Sequence, residues 1–259
     1  MFSTQHFIWL AICLVLIALS LFFLFKYKPS LKNFLSVNCV ICVLALLTTI
    51  FSTIKIVPSA DGTFFVPYLP TQYLPIHLCD IQIIFMFIVR FAEDGKLKDR
   101  LLGFMYPTTI IGAAFALALP SIFSTSIGVE QAFTAPLSYE FFIYHSMLIV
   151  TGIYIYACKK DTFNPSYYFS TQAILLSLSV ISLYANSMFG TAIYKNGELQ
   201  SVEYVTNFFF TYKTPIGLML TQKWQWIIYL LILIALAFST IALAYIPVFV
   251  KYFKEKKNK

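Results

Sequence analysis

By hydropathy the chain is a series of long apolar runs broken by short polar punctuation. A helix rises about 1.5 Å per residue, so it needs roughly 20 apolar residues to cross a hydrocarbon core of about 30 Å. Seven runs qualify: residues 7–25, 33–54, 73–92, 99–119, 138–158, 169–191 and 224–250. Each is apolar on every face, which argues against an amphipathic helix lying on the membrane surface. The expected fold class is an all-α membrane protein with seven transmembrane helices, forming one polytopic domain over residues 1–259. The first run has no basic stretch before it and no small-residue cleavage site after it, so it reads as a retained helix rather than a signal peptide. Pro75 suits the first turn of the third span, where its missing N–H costs nothing. Pro107 in the fourth predicts a kink, tolerated where neighbours satisfy the freed carbonyl. Ser138 fits an N-cap for the fifth, with Glu140 near the positive helix end. The 55–72 loop is rich in turn residues. The 192–223 loop is long, and its half from Asn207 to Pro215 is aromatic enough to lie at the interface or cover something.

Composition agrees with lipid as the solvent. Of 259 residues, 59% are hydrophobic and 11% charged, against about 25% charged in soluble domains. The net charge of +7 does not point to nucleic acid, because the cations sit between apolar runs and in the C-terminal tail. One set of loops plus the tail (residues 251–259) carries fourteen lysines and arginines, at 26, 28, 32, 90, 96, 98, 100, 159, 160, 251, 254, 256, 257 and 259. The opposite set carries four, at 55, 195, 213 and 223. By the positive-inside rule the N-terminus is outside and the C-terminus inside. Trp9, Trp224 and Trp226 then fall at outer ends, as an interfacial belt would. The five cysteines, at 13, 39, 42, 79 and 158, lie mostly in apolar runs and form no secreted disulfide framework. Cys39 and Cys42 have CxxC spacing, but in the inner half of a span they read as packing residues.

Ionisable side chains inside a membrane are costly and carry a functional hypothesis. They concentrate in Leu74-Pro75-Ile76-His77-Leu78-Cys79-Asp80, at the start of the third span. Cys79 would lie about 6 Å below the outer surface, and His145 in the fifth span about 10 Å below it. Asn186 and His6 fall in the same outer layer. His77 and Asp80 are three apart and would share a helix face, whereas Cys79 points elsewhere. A base for the thiol should therefore come from another helix, and His145 is the best placed. A thiolate with a nearby imidazole is a nucleophile–base pair suited to acyl transfer, and at this depth it would reach acyl esters of outer-leaflet lipids. The alternatives stay open at this point. A buried cysteine is more often a small hydrophobe, and His145 and Asn186 can serve as hydrogen-bonded glue between helices. His6 can be an ordinary interfacial histidine. A metal site from His6, His77, Asp80 and His145 lacks any fixed-spacing motif, and no cofactor is expected.

Leu74-Pro75-Ile76-His77-Leu78-Cys79 resembles the Leu-Pro-Leu-His-Leu-Cys signature of the YwaF-like bacterial integral membrane proteins. That family is similar to the eukaryotic TMEM-type acyltransferases that make ether phospholipids. The resemblance covers the order of spans, the histidine of the fifth span and the Asn-aromatic stretch, here Asn207-Phe208-Phe209-Phe210-Thr211 followed by Lys213-Thr214-Pro215. Gln222-Lys223-Trp224-Gln225 departs from the family's Gly-Pro-Trp-Pro. The resemblance implies a bacterial multi-pass cell-membrane protein with an acyl-accepting Cys79 and a base His145, working as an acyltransferase or lipid hydrolase. His77, Asp80, Asn186, His6 and Asn207 would supply the surrounding polar pocket. Membrane lipids are the expected solvent and substrate, with no nucleic-acid partner. A transporter lined by His77, Asp80, His145 and Asn186 is the competing reading, and a receptor-like protein the third. The last span has no lysine for a retinal Schiff base, which argues against a rhodopsin.

Overall fold

The computed structural model describes residues 2–123, 125–195, 198–215 and 220–258. Eight α-helices run in the order α1 (Thr4–Tyr27), α2 (Leu31–Thr53), α3 (Leu78–Phe91), α4 (Lys96–Ala118), α5 (Ser126–Glu130), α6 (Pro136–Lys159), α7 (Ser166–Met188) and α8 (Lys223–Lys257) among the described residues. Six are long and apolar enough to cross a membrane: all but α3 and α5. Among the described residues two antiparallel strand pairs lie between the helices, β1 (Lys55–Pro58) with β2 (Phe65–Tyr68) and β3 (Thr191–Lys195) with β4 (Glu198–Glu203). These strands are antiparallel and mostly exposed. Gly62, at φ +71°, turns the first hairpin, where a side chain would strain the backbone.

The segment expected as a third span, residues 73–92, does not form a helix long and apolar enough to cross a membrane. Its helix begins at Leu78, not at residue 73, and covers 14 residues, about 21 Å. Pro75 accounts for the first part of the delay. It disfavours the helical region for Leu74, which is extended at φ −65°, ψ 140°. His77 is extended too and forms the N-cap. The fifth span starts earlier than expected, with Ala135 as N-cap and Pro136 in the first turn, so Ser138 lies inside α6. The last helix runs through 35 residues, about 52 Å, and carries the basic tail beyond the bilayer. Lys259 lies outside the described residues, as do 196–197 and 216–219 of the long loop.

Helices α4 and α6 form the centre, with the most extensive packing of any pair. Gly152 on α6 permits the close approach. A Cβ there would stand 2.4 Å from Thr109 Oγ1, 2.5 Å from Ile110 Cγ1 and 2.7 Å from the Tyr106 carbonyl oxygen. Small residues let membrane helices approach in this way. Around this pair lie α1 and α2 against α6, α3 and α7 against α4, and α8 against α4 and α7. Polar bonds tie the layers. Asn38 donates to Thr151 Oγ1 at 2.8 Å, Gln82 to Thr108 Oγ1 at 3.1 Å and Tyr154 to the Pro29 carbonyl at 2.5 Å. Helix α4 runs unbroken through Pro107. Pro107 has no N–H for the carbonyl four residues back, which is that of Gly103. The Tyr245 hydroxyl of α8 donates to that carbonyl at 2.8 Å, so a neighbouring helix restores the lost bond.

The helices alternate in direction. Arg90 at the end of α3 bonds Ser36 near the start of α2, and Lys159 at the end of α6 pairs with Asp99 near the start of α4. Lys251 of α8 pairs with Asp161 just past α6. The basic loops therefore converge at one end. At the other end α1 begins beside the close of α4, with His6 Nε2 donating to the Leu117 carbonyl at 2.8 Å. Trp9 is 3% exposed and donates to the Ala132 carbonyl at 2.9 Å. It is an internal lock, not part of a lipid-facing belt. Trp224 is exposed, while Trp226 bonds the Thr211 carbonyl at 3.0 Å.

Candidate functional site

The site is built on the first turn of α3. Because Pro75 and the extended His77 delay the helix, Cys79 and Asp80 stand at its positive end. His77 makes no side-chain cap bond. The first-turn N–H groups thus lack intrahelical partners and a side-chain cap, the situation at any helix start without a capping side chain. His77, Leu78, Cys79 and Asp80 are all half-buried, leaving accessible surface on each. Gly112 of α4 faces this turn. A Cβ on it would stand 3.6 Å from both Cys79 Sγ and Leu78 Cδ2.

Helices α3 and α6 both pack on α2 and α4. Tyr144 of α6 reaches across the intervening space. Its hydroxyl donates to the Cys79 carbonyl at 2.8 Å, so the first turn of α3 and the His145 turn of α6 are at one level. His145 itself is 8% exposed, and its Nδ1 lies 2.6 Å from the Phe141 carbonyl. A carbonyl only accepts, so Nδ1 carries the proton, and in the neutral ring Nε2 is the free base. No hydrogen bond joins Cys79 Sγ to His145 among the described residues. The two imidazoles, His77 and His145, lie within electrostatic reach of each other.

The expected His77–Asp80 pair does not form. Since His77 precedes the helix, it does not share a helical face with Asp80. Its ring meets Phe208 edge-on at 4.9 Å. Asp80 lies instead within electrostatic reach of Glu140 and Tyr144. Among the described residues neither carboxyl has a salt-bridge partner.

Phe208 belongs to the aromatic stretch of the long loop, which covers the His77 end of the site. Asn186, 1% exposed at the end of α7, clamps it. Its Oδ1 accepts from Phe208 N at 2.9 Å, and its Nδ2 donates to Phe208 O at 3.0 Å and to Thr211 Oγ1 at 2.8 Å. Asn207 folds the loop on itself by donating to Lys213 O at 2.7 Å and accepting from the amides of Tyr212 and Lys213. Phe209 and Phe210 hold φ of 55°, a left-handed conformation that side chains rarely adopt. Asn186 and Asn207 therefore shape the cover of the site and are not placed against Cys79. His6 is not brought to the site either. Fully buried, it bonds Leu117 and packs on Phe123, in a satellite cluster with Trp9 and Phe142. Cys42 and Cys39 are packed in the main core.

One residue of the site, Tyr144, has no counterpart among the sequence candidates. Tyr144 carries the one polar bridge seen between α3 and α6 among the described residues, and its only signal was a hydroxyl one residue before His145. Glu140 was assigned to the helix end, but its carboxyl lies within electrostatic reach of Asp80. Among the described residues no group of three or more His, Cys, Asp or Glu could hold a metal ion. A family model described as the TMEM164 family matches residues 1–245. No curated protein and no solved structure matches the chain.

Proposed function

The chain belongs to the TMEM164 family, and from that premise we propose that it is a membrane acyltransferase or lipid hydrolase with Cys79 as nucleophile and His145 as base. The observation that carries the proposal is the Tyr144–Cys79 bond. It sets the thiol turn level with an imidazole whose Nε2 is left free to accept a proton. The N–H groups at the positive end of α3 favour the oxyanion formed from an ester. The half-burial of residues 77–80 leaves the thiol turn a surface for a substrate to approach.

In the reaction, Cys79 Sγ attacks the ester carbonyl carbon of an acyl lipid while its proton passes to His145 Nε2. The ester C–O bond breaks, and the departing lysolipid oxygen takes the proton from His145. The hydroxyl of a second lysolipid (transfer) or water (hydrolysis) then attacks the thioester carbonyl while its proton passes to His145 Nε2; the C–S bond breaks, and the departing Cys79 sulfur takes that proton from His145. Catalytic hydrogen bonds often tighten only with substrate bound, and the Cys79–His145 proton transfer belongs to that stage of the reaction. In the same reading the chain crosses the membrane seven times. The six long helices are joined by α3 with its extended entry, whose Arg90 end bonds α2 at the basic end. The basic end is inside and the Cys79 end outside. Placement in a bacterial cell membrane rests on the likeness of Leu74–Cys79 to the YwaF-like proteins.

A lipid acyl-exchange assay on purified protein tests this. Wild type should move a labelled acyl chain from phospholipid to lysolipid, and Cys79→Ala and His145→Ala should not. Turnover by Cys79→Ala at the wild-type rate would overturn the proposal.

A further inference from the structure

At the basic end, opposite Cys79, the starts of α2 and α4 and the ends of α3 and α6 surround a cleft of about 240 Å³. Leu31, Leu35 and Val89 line its apolar part; Lys32, Arg90, Lys98 and Lys159 bring four cations to it, with Asp94. Topology alone asks for cations at this end of the chain but not for their convergence on one concavity from four helix ends.

The pairing within the cleft is uneven. Lys98 is bound to Asp94 at 3.0 Å and to the Ala92 carbonyl, and Lys159 to Asp99 at 3.1 Å. Lys32 and Arg90 have no salt-bridge partner among the described residues. Arg90 is half-buried, and its Nε donates to Ser36 Oγ. That bond fixes the guanidinium plane. The terminal nitrogens are left as a fork suited to a phosphate, with the Lys32 ammonium as a second point charge. Ile88 and Phe91 are exposed on the same turns of α3, so apolar surface for acyl chains adjoins the charged cleft.

We propose that this cleft binds the phosphate of an anionic phospholipid from the leaflet at the basic end, held between Arg90 and Lys32 with its glycerol over Leu31, Leu35 and Val89. The site is separate from the Cys79 chemistry and lies at the opposite end of the helices. Its volume accommodates a phosphate and the glycerol esterified to it, while the acyl chains remain in the bilayer. Basic pockets between membrane helices on the cytoplasmic side take acidic head groups in this way.

The test uses the full chain in neutral detergent, titrated with dioctanoyl phosphatidylglycerol, dioctanoyl phosphatidylcholine or inorganic phosphate. Bound lipid is read by native mass spectrometry. Wild type should retain phosphatidylglycerol at least tenfold more strongly than phosphatidylcholine. Lys32→Gln, an exposed change with no salt-bridge partner to lose, should weaken retention several-fold, and Arg90→Gln more so. Equal retention of the two lipids, or unchanged binding in both variants, would overturn the proposal. Displacement of the lipid by inorganic phosphate at equal concentration would overturn the lipid assignment.

Discussion

Two glycines of the central helices should respond oppositely to the same substitution. Replacing glycine by alanine within a helix gains about 0.8–1 kcal/mol of propensity. At Gly112 the added methyl meets its nearest atoms at 3.6 Å, which is ordinary contact. Gly112→Ala should therefore be neutral or stabilise by up to about 1 kcal/mol. At Gly152 the methyl would stand 2.4–2.7 Å from three atoms. None of the three yields easily. Thr109 Oγ1 is held by the Met105 carbonyl at 2.7 Å, Tyr106 O is backbone, and Ile110 is β-branched. Overpacking of this kind costs about 1–3 kcal/mol, so after the propensity gain Gly152→Ala should be destabilised by about 0–2 kcal/mol. The order of the two variants is the robust part. Thermal unfolding in mild detergent, followed by size-exclusion after heating, should place Gly152→Ala below wild type and Gly112→Ala at or above it. A Gly152→Ala protein as stable as Gly112→Ala would refute the close α4–α6 approach and the alignment of Tyr144 with Cys79 that depends on it.

Further outcomes follow from single bonds. Tyr245→Phe orphans the Gly103 carbonyl and should cost about 1–3 kcal/mol. Combining it with Pro107→Ala should recover much of that, because an alanine there supplies the missing N–H; a double-mutant cycle with no coupling would contradict it. Asn186→Ala removes three bonds to the 208–211 turn and should cost about 2–3 kcal/mol, read as faster proteolysis of that loop, with unchanged cleavage as the negative result. Tyr144→Phe should cost only about 0.6 kcal/mol in stability, since Cys79 O keeps its place in the helix, but should slow acyl transfer well beyond that; equal small effects on both would remove its positioning role. In the first hairpin, hydrogen bonds from Ser59 and Thr63 hold the Asp61 carboxyl down to about 2. The stabilisation is complete above the ordinary value near 3.8 and is lost as pH falls through about 2. The Thr63 amide resonance should thus titrate near 2, and a midpoint near the ordinary value would show the bonds absent.

The six long apolar helices were legible because lipid imposes a length and a composition that few other demands mimic. Where the reading failed, the deciding contact was remote in sequence or local to the backbone. Pro75 looked compatible with a first turn, yet its effect on Leu74 and the extended His77 moved the helix start to Leu78. That shift dissolved the anticipated His77–Asp80 pair. His6 and Trp9 looked interfacial because nothing near them in the chain names Leu117 or Ala132, more than a hundred residues away. The aromatic loop read either as interfacial or as a cover, and Phe208 lies on His77. The clamp by Asn186 could only be seen once α7 and the loop were in place. Cys79 and His145 stand out by residue type, by depth and by the resemblance of Leu74–Cys79. Depth brought them to one level but could not show that Tyr144, rather than His145, makes the bond to Cys79.

The central claim is that Cys79 carries an acyl group, and intact-protein mass spectrometry tests it most directly. Purified protein given a phospholipid with an isotopically labelled acyl chain should gain the mass of that chain. The adduct should map to Cys79, be released by hydroxylamine, and be absent from Cys79→Ala. A labelled thioester on another residue, or active protein that never shows an adduct under rapid acid quench, would contradict the account.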